Sequence, residues 1–270
     1  MKLSVITINY NNRDGLRKTI ESVVNQTYND FEYIIIDGGS TDGSVDVIKE
    51  YADRIDYWVS EPDKGIYNAM NKGIDVAKGE YCIFMNSGDC FYRLSVLSDI
   101  LPSLDGKDVI AGTIVISDGQ IYAAPERIAL SFLYFETIPH QASIIKTNLL
   151  KEYKYDEKYR IAADYKFWLQ TLIIRNCTYA AIKNIVAIYD VTGVSSKNEM
   201  LLKEERANAQ EEILPDCLLL DLRGTENEFY IELKKRKFHK IIYKLNVILI
   251  HLLGIFKGKD YWIRRYPFNI

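Results

Sequence analysis

The chain is poor in the residues that build disulfide frameworks and histidine metal sites. Its 270 residues include four cysteines, none of them in a CxxC pair, and only three histidines. Zinc centres and disulfide-rich scaffolds depend on such clusters, so neither is predicted. The stretch 9–15, after the first predicted strand, also lacks the G-x-G-x-x-G pattern of dinucleotide-binding folds. A dehydrogenase is therefore not expected.

A secretory signal pattern is also missing. The chain begins Met1-Lys2 and enters an apolar strand pattern at once. Together with the unpaired cysteines, this start predicts a cytoplasmic protein. The net charge of −3 is uneven, because residues 231–270 carry ten Lys or Arg against two acids, a net of +8 that leaves −11 elsewhere. Such asymmetry is typical of a protein that touches an anionic surface, here the inner face of the membrane.

The first 90 residues alternate strand and helix patterns. Strands are predicted at 3–8, 31–37, 55–60 and 81–86, and helices at 13–26, 41–51 and 66–77. Strands separated by helices of this length pair in parallel through right-handed crossovers. From about Lys107 the pattern becomes mixed, with a hairpin at 109–124 turning at Asp118-Gly119, strands near 142–146 and 177–189, and a helix near 161–174.

We therefore expect an α/β fold with three regions. Residues 1–105 would bind a nucleotide, 106–200 would complete the same domain with an acceptor-binding and catalytic half, and 201–270 would form a helical, basic extension. Within that extension, the uncharged segment 245–256 is twelve residues long, too short to span a bilayer. It suits a membrane-interface helix, or a helix packed on the domain or in a dimer.

Carboxylates follow two of the apolar strands. Asp37 ends the second strand and is followed by two glycines, which let a ligand approach the backbone closely. It could accept hydrogen bonds from a base or ribose, or belong to an ordinary turn capped by Thr41 or Asp42. Asp89 follows the fourth strand, where one acid suffices for a cation that completes its shell with phosphates and water. The alternative for Asp89 is an Asx-type turn.

Three further segments carry polar groups at loop or helix starts. The helix after 61–65 could bind phosphate through its free N–H groups, with Lys64 adding charge, or be a simple capped helix. Asp164 begins a helix, where it could act as a general base or merely complement the dipole. His140 and Gln141 lie in a loop before a strand, and His140 has a structural role as its alternative.

The order of these stretches resembles the inverting glycosyltransferases of family two, which have the GT-A fold. The resemblance rests on residues 3–12, 31–44, 61–73, 79–89 and 160–168 and covers about residues 1–200. It implies a mainly parallel sheet flanked by helices, with a mixed α+β acceptor half and a helical C-terminal tail. It also implies a nucleotide-diphosphate sugar donor, with uridine as the expected base, and Mg²⁺ or Mn²⁺ as cofactor.

By position, the resemblance implies roles for individual residues. Asp164 looks like the general base, Asp89 like the metal ligand that ends a DXD-type motif, and 193–196 like a loop that closes over the site. Many members have Asp where this chain has Asn86 or Gly88, so Asp89 is the single acid of its motif. Donor contacts fall on Ile8, Asn9, Tyr10, Asp37, Lys64, Asn68, Asn86 and Ser87, with Asp37 at the base, and acceptor contacts on His140, Gln141 and Trp168.

The expected function is transfer of a sugar to a glycan or lipid-linked acceptor in surface-polysaccharide synthesis, with no nucleic-acid partner. Two alternatives stay open. A sugar-nucleotide nucleotidyltransferase would need a Gly-rich, basic loop after the first strand, which 9–15 does not provide. A non-catalytic sugar-nucleotide-binding or scaffold protein would explain Asn86 and Gly88. A hydrolase would need two opposed carboxylates, and no second one can be assigned.

Overall fold

The computed structural model describes residues 1–117, 119–191 and 198–224. The chain divides into two compact units, Met1–Pro215 and Asp216–Ile270, and residues 216–224 of the second unit are helical. The first unit therefore extends beyond the expected boundary at residue 200. The predicted turn residue Asp118, the predicted loop 193–196 and the basic tail 231–270 lie outside the described residues.

The described part of the first unit is built on a nine-stranded sheet. The strands run in the order β3-β2-β1-β4-β8-β6-β9-β5, with β7 paired to β6. Their bounds are β1 (Leu3–Asn9), β2 (Phe31–Asp37), β3 (Tyr57–Ser60), β4 (Tyr81–Phe84), β5 (Cys90–Phe91), β6 (Val109–Ile116), β7 (Ile121–Ala123), β8 (Ser143–Lys146) and β9 (Tyr179–Tyr189).

Helices connect and cover these strands. They are α1 (Arg13–Val24), α2 (Ser44–Glu50), α3 (Ile66–Val76), α4 (Val96–Ile100), α5 (Leu130–Phe135), α6 (Thr147–Tyr153), α7 (Ala163–Trp168) and α8 (Glu199–Ile213). Short 3₁₀ turns occupy Ala52–Arg54, Leu101–Ser103 and His140–Ala142, and a π-helix (Leu169–Ile174) continues α7. Among the described residues, no helix is both long and apolar enough to cross a bilayer.

The parallel arrangement predicted for the first half is confirmed. Strands β3, β2, β1 and β4 pair in parallel, and β6 and β7 form the predicted antiparallel hairpin. Alternate residues of the central strands face opposite sides of the sheet, so Val5 and Ile35 join the core cluster that includes Leu16 of α1. On the other side, Gly73 of α3 lies against Ile6 and Ile36. Helices therefore cover both faces of the parallel strands, as buried parallel strands require.

The predicted helix 161–174 is α-helical only as far as Trp168 and then continues as the π-helix. Within it, the Thr171 hydroxyl donates to the carbonyl of Phe167, 2.7 Å away. Such a back-bond competes with the regular backbone ladder. The change of helix type begins at Leu169, five residues after Asp164.

The strand directions bring distant segments to one edge. The carboxyl ends of β1, β2, β3 and β4 meet there because these strands are parallel. Strand β8 is antiparallel to β4, with Ile144 opposite Ile83, so the 3₁₀ turn before β8 starts at the same edge. Strand β9 is antiparallel to β5, with Ile188 opposite Cys90, which brings Asp190 beside Asp89. Ligands of open α/β sheets bind at such an edge.

Candidate functional site

The loops that follow β1 and β2 are joined by hydrogen bonds. The Asn9 side-chain amide donates to Asp37 Oδ1 at 2.7 Å and to Ser40 Oγ at 3.2 Å. The backbone N–H of Asn11 donates to the same Ser40 oxygen at 2.7 Å, and Thr41 N–H donates to Asn11 Oδ1 at 2.8 Å. These side-chain bonds give the two loops a shared, ordered framework at the sheet edge.

Asp37 lies at the centre of that framework and is fully buried. Its Oδ1 accepts from the Asn9 amide and the Ser40 hydroxyl, and its Oδ2 accepts from Ser40 N–H at 2.9 Å and the Ser60 hydroxyl at 2.6 Å. Burial would raise the pKa of Asp37, but the hydrogen bonds from Ser40, Ser60 and Asn9 outweigh it and lower the pKa below its usual value. Four donors fill the acceptor capacity of a carboxylate.

Asp37 was predicted to contact the base. In the structure it is buried and accepts four hydrogen bonds, so it also anchors the loops that follow β1 and β2. The Asn9 side-chain oxygen Oδ1 is buried and has no hydrogen-bond partner among the described residues, so it can still accept a hydrogen bond.

The turn between β4 and β5 is attached to α1. The Thr19 hydroxyl donates to the carbonyl of Asp89 at 2.6 Å and accepts from Gly88 N–H at 3.0 Å, and the Lys18 ammonium donates to the Gly88 carbonyl at 3.1 Å. Gly88 has a φ of +106°, and a Cβ there would lie 2.7 Å from Asp190 Oδ2. This position therefore requires glycine both for its backbone conformation and for the approach of Asp190.

The Asp89 side chain is 4% exposed and lies against a second acid. Its Oδ1 accepts from the Asp190 backbone N–H at 2.8 Å. Burial, with the negative charge of Asp190 added, raises the pKa of Asp89 to about 7, although the Asp190 N–H, Lys18 and Gln141 oppose this. Asp190 and Asp89 stand 101 residues apart in the chain.

The groups around Asp89 suit a hard divalent cation. Mg²⁺ and Mn²⁺ take oxygen ligands, and this turn offers the Asp89 carboxylate and Asn86 Oδ1, which is buried without a partner among the described residues. A positive charge would also offset the burial that raises the Asp89 pKa. Within the described part of the chain, no three His, Cys, Asp or Glu residues cluster as a complete metal site.

Asp164 lies in the first turn of α7 and is partly exposed, whereas its neighbours on either side are buried. The Tyr67 hydroxyl, from α3, donates to Asp164 Oδ1 at 2.9 Å. The backbone before α7 is held by Glu205 of α8, whose carboxylate accepts N–H bonds from residues 160–162 at 2.7, 2.9 and 2.9 Å. Asp164 is thus an oriented carboxylate with access to solvent, as a general base requires.

Two predicted acceptor residues are buried in the structure. His140 is 7% exposed, its Nε2 lies 2.8 Å from the Tyr155 hydroxyl, and burial lowers the pKa of its ring. Trp168 is fully buried and its ring centre lies 6.5 Å from that of His140. A buried indole or imidazole offers almost no surface to an acceptor, and in the structure both rings pack against other aromatic side chains. Gln141 is half-buried, and its side chain lowers the pKa of Asp89.

The other predicted donor contacts divide by exposure. Tyr10 is 66% exposed and Lys64 is exposed at the start of α3. Asn68 and Ser87 are half-buried; Asn68 donates to Glu157 at 2.9 Å and Ser87 donates to the Asn12 carbonyl at 3.2 Å. Ile8 is 8% exposed, so its side chain offers little surface to a ligand. Its backbone carbonyl accepts a hydrogen bond from Ser87 N–H at 3.1 Å.

Three residues at the site were not found from the sequence. Asp190 had a readable signal, because it ends the apolar strand 179–189 just as Asp89 ends its own run. Tyr67 and Glu205 carry no such signal, since their partners are 97 residues and about 45 residues away in the chain. Only the packing of α3 and α8 on α7 shows what they contact.

The family of the chain follows from sequence comparison. Residues 4–162 match the family model described as Glycosyl transferase family 2. The chain belongs to this family. The match contains the four parallel strands except for Leu3, the first residue of β1, and it also contains Asp89; it ends two residues before Asp164.

Curated relatives agree with that assignment. The chain is 34% identical over 206 residues to the uncharacterized glycosyltransferase Rv1514c of Mycobacterium tuberculosis (strain ATCC 25618 / H37Rv), covering 73% of this chain and 78% of the relative. It is 27% identical over 171 residues to a PGL/p-HBAD biosynthesis glycosyltransferase of Mycobacterium bovis (strain BCG / Pasteur 1173P2), covering 61% of this chain and 67% of the relative.

Solved structures confirm the GT-A fold of this glycosyltransferase. Staphylococcus aureus TarS 1–349 in complex with UDP-GlcNAc superposes with a TM-score of 0.67 and 21% identity, covering 79% of this chain and 65% of that chain. In another TarS structure the match covers only 37% of that chain. The mannosyltransferase PcManGT of Pyrobaculum calidifontis, in complex with GDP-Man and Mn²⁺, gives a TM-score of 0.55 at 16% identity, covering 70% and 56% of the two chains.

Proposed function

We propose that this glycosyltransferase moves a sugar from a UDP-linked donor to a hydroxyl of a glycan or lipid-linked acceptor in surface-polysaccharide synthesis, with inversion at the anomeric carbon. The observation that carries the proposal is the buried Asp89, which accepts a hydrogen bond from the Asp190 backbone N–H at the carboxyl edge of the sheet. The cation and the diphosphate would bind at this turn, and the proton of the acceptor would pass to Asp164, whose charge acts on His140, the residue before Gln141. The UDP-GlcNAc bound to TarS supports the choice of donor, and the PGL/p-HBAD biosynthesis glycosyltransferase among the relatives supports a biosynthetic role.

The donor would lie along the carboxyl ends of β3, β2, β1 and β4. The ends of β2 and β4 are two strand spacings apart, about 10 Å, which suits a nucleoside with its diphosphate. The base would lie near Tyr10, and the diphosphate near Asn86 and Asp89. Lys64, Asn68, Asn9 and Ser87 would complete the contacts.

Asp89 and Asn86 would hold Mg²⁺ or Mn²⁺, which stabilises the negative charge of the leaving diphosphate when bound. The manganese in the PcManGT complex supports this choice of ions. Lys18, 3.1 Å from the Gly88 carbonyl, adds a fixed positive charge beside the same turn. The chain itself thus contributes few ligands, in keeping with a cation that arrives with its substrate.

Asp164 would take the proton of the acceptor hydroxyl as its oxygen attacks the anomeric carbon opposite the leaving group. One displacement of this kind inverts the configuration. The Tyr67 hydroxyl donates a hydrogen bond to Asp164 Oδ1, and Glu205 binds the backbone before α7. These contacts hold the Asp164 carboxylate in one orientation. A positioned base contributes about 10²–10⁴-fold to the rate.

The test is nucleoside diphosphate release from a panel of nucleotide sugars with Mn²⁺ and glycan or lipid-linked acceptors. We expect release from a UDP-sugar by the wild type and a loss of about 10²–10⁴-fold in the Asp164→Asn variant. Donor affinity of that variant, measured by calorimetry, should stay unchanged. Near-normal transfer by Asp164→Asn would refute the base assignment, and retained configuration in the product would refute inversion.

A non-catalytic sugar-nucleotide-binding protein is the second candidate. It was motivated by Asn86 and Gly88, which leave one acid in the motif. Asp190 lies close to Asp89 and supplies a second carboxylate to the same turn. The single acid of the motif is therefore a weaker argument for a non-catalytic protein. A binding protein would bind the donor but release no nucleoside diphosphate in the same assay.

A further inference from the structure

We propose that Asn71 is a positioning residue for Asp164: its side-chain amide fixes the backbone of Tyr155, and the Tyr155 ring supports Tyr67, the donor to Asp164. The inference rests on the proposed function, in which Asp164 is the base, and adds a residue that acts on Asp164 through other side chains. Asn71 lies in α3, four residues after Tyr67, so the two side chains share one face of that helix. Tyr67 contacts Asp164 directly, whereas Asn71 contacts the segment that leads to α7.

The Asn71 amide pairs with both backbone groups of Tyr155. Its Oδ1 accepts from the Tyr155 N–H at 2.9 Å, and its Nδ2 donates to the Tyr155 carbonyl at 2.8 Å. Asn71 is only 8% exposed, so a partner lost here is not readily replaced by water. One side chain thus holds the segment between α6 and α7 against α3.

Glu157 defines which end of the Asn71 amide meets which group. One Glu157 oxygen accepts from Asn71 Nδ2 at 3.0 Å, and the other accepts from Asn68 Nδ2 at 2.9 Å. The Asn71 nitrogen therefore has two acceptors, and its oxygen has the Tyr155 N–H. An aspartate has nearly the same shape but cannot donate, and it would place a second carboxylate against Glu157. The position therefore requires an amide.

Tyr155 connects this anchor to the groups around Asp164. Tyr155 is 2% exposed, its ring centre lies 5.5 Å from that of Tyr67, and its hydroxyl lies 2.8 Å from His140 Nε2. Burial, and after it the charge of Asp164, raises the pKa of both tyrosines, so both lie in the field of the base. In a close-packed interior, a shift of the Tyr155 backbone would move the ring that supports Tyr67. The hydroxyl that donates to Asp164 Oδ1 at 2.9 Å would move with it.

The experiment measures nucleoside diphosphate release by the full chain with the best donor and acceptor of the panel. Asn71→Asp should lower kcat about 10- to 100-fold, because a small displacement of a reacting group has an effect of this size. The affinity for UDP with Mn²⁺, measured by calorimetry, should stay unchanged. Adding Glu157→Gln should recover part of the lost kcat, since the new amide can donate to the new carboxylate. No recovery would overturn the need for an amide at residue 71.

Gln26→Glu is the matched control. Gln26 is 3% exposed and follows α1 at the end away from the ligand edge. Its amide also donates to two backbone carbonyls, those of Ser22 and Arg93, and accepts from the Leu97 N–H. The two variants therefore lose the same kinds of bond and should lower the melting temperature similarly, but Gln26→Glu should keep the wild-type kcat. Asn71→Ala and Gln26→Ala replace this pair if Asn71→Asp does not fold.

A variant without the base separates positioning from a general structural role. In Asp164→Asn the carboxylate that Asn71 positions is gone, so adding Asn71→Asp should lower the residual rate no further. An equal fall in both backgrounds would overturn the inference, as would a normal kcat in Asn71→Asp or an equal loss in Gln26→Glu. Each of these results leaves the proposed function intact. Absence of nucleoside diphosphate release by the wild type with every donor would overturn the proposed function together with this inference.

Discussion

Replacing Asp89 by Asn should stabilise the cation-free protein while removing its response to Mn²⁺. The carboxyl is 4% exposed, and burial beside the charge of Asp190 raises its pKa to about 7. An ionised Asp89 is therefore costly in the folded protein unless a cation offsets it. The isosteric amide keeps an acceptor for the Asp190 N–H, 2.8 Å away, and carries no charge.

The size and the pH window follow from linkage. A shift from 3.8 to about 7 is about three pKa units, or about 4 kcal/mol at most. Because the folded protein holds this proton more tightly than the unfolded chain, the stability contribution of the protonated acid is complete below about pH 4 and is lost as the pH rises to about 7. The gain from Asp89→Asn should therefore be near zero at pH 4, grow to about pH 7 and stay constant above it.

Urea unfolding between pH 4.5 and 8.5, with EDTA or with Mn²⁺, measures both effects. With EDTA at pH 8, Asp89→Asn should be the more stable protein; with Mn²⁺, only the wild type should gain stability. Asp37→Asn is a control of opposite sign, because hydrogen bonds lower the Asp37 pKa and its charged form stabilises the fold at neutral pH. A destabilised Asp89→Asn at pH 8 in EDTA would show that the buried charge carries no such cost.

Three further predictions concern the surroundings of Asp164 and the tail. Tyr67→Phe removes the donor 2.9 Å from Asp164, so kcat should fall about tenfold with donor affinity unchanged by calorimetry; a change in affinity alone would place Tyr67 in donor binding. Glu205→Ala leaves three backbone N–H groups without their acceptor and should cost about 3 kcal/mol in urea unfolding, whereas Glu205→Gln should cost less; equal losses would contradict this reasoning. Removing the basic residues 231–270 should abolish flotation with anionic liposomes, and unchanged flotation would exclude this tail as the membrane contact.

The parallel half of the fold could be predicted from local sequence. Continuous apolar runs such as 34–36 and 81–85 alternate with helical patterns, and together they permit little besides parallel crossovers. The short helices α4, α5 and α6 were not predicted. They have five to seven residues, too few for a helical period to repeat clearly.

Individual side chains at the site were harder to predict than the strands that carry them. Trp168 follows Asp164 by one helical turn, yet it points into the core and is fully buried. His140 looks like a free loop residue in the sequence, yet it packs against Phe84 and Tyr155. Burial of a loop or helix residue depends on what other segments place over it, and no local pattern contains that information.

The sequence by itself determined which acids would reach the ligand edge, because a carboxylate after an apolar parallel strand must emerge at the carboxyl end of that strand. This rule places Asp37 and Asp89 at that edge. Applied to the apolar strand 179–189, it places Asp190 there as well. Only the tertiary structure decided what each acid does there. Four donors hold Asp37 and lower its pKa, whereas burial beside the charge of Asp190 raises the pKa of Asp89, because the chemistry of a carboxylate depends on its neighbours in space.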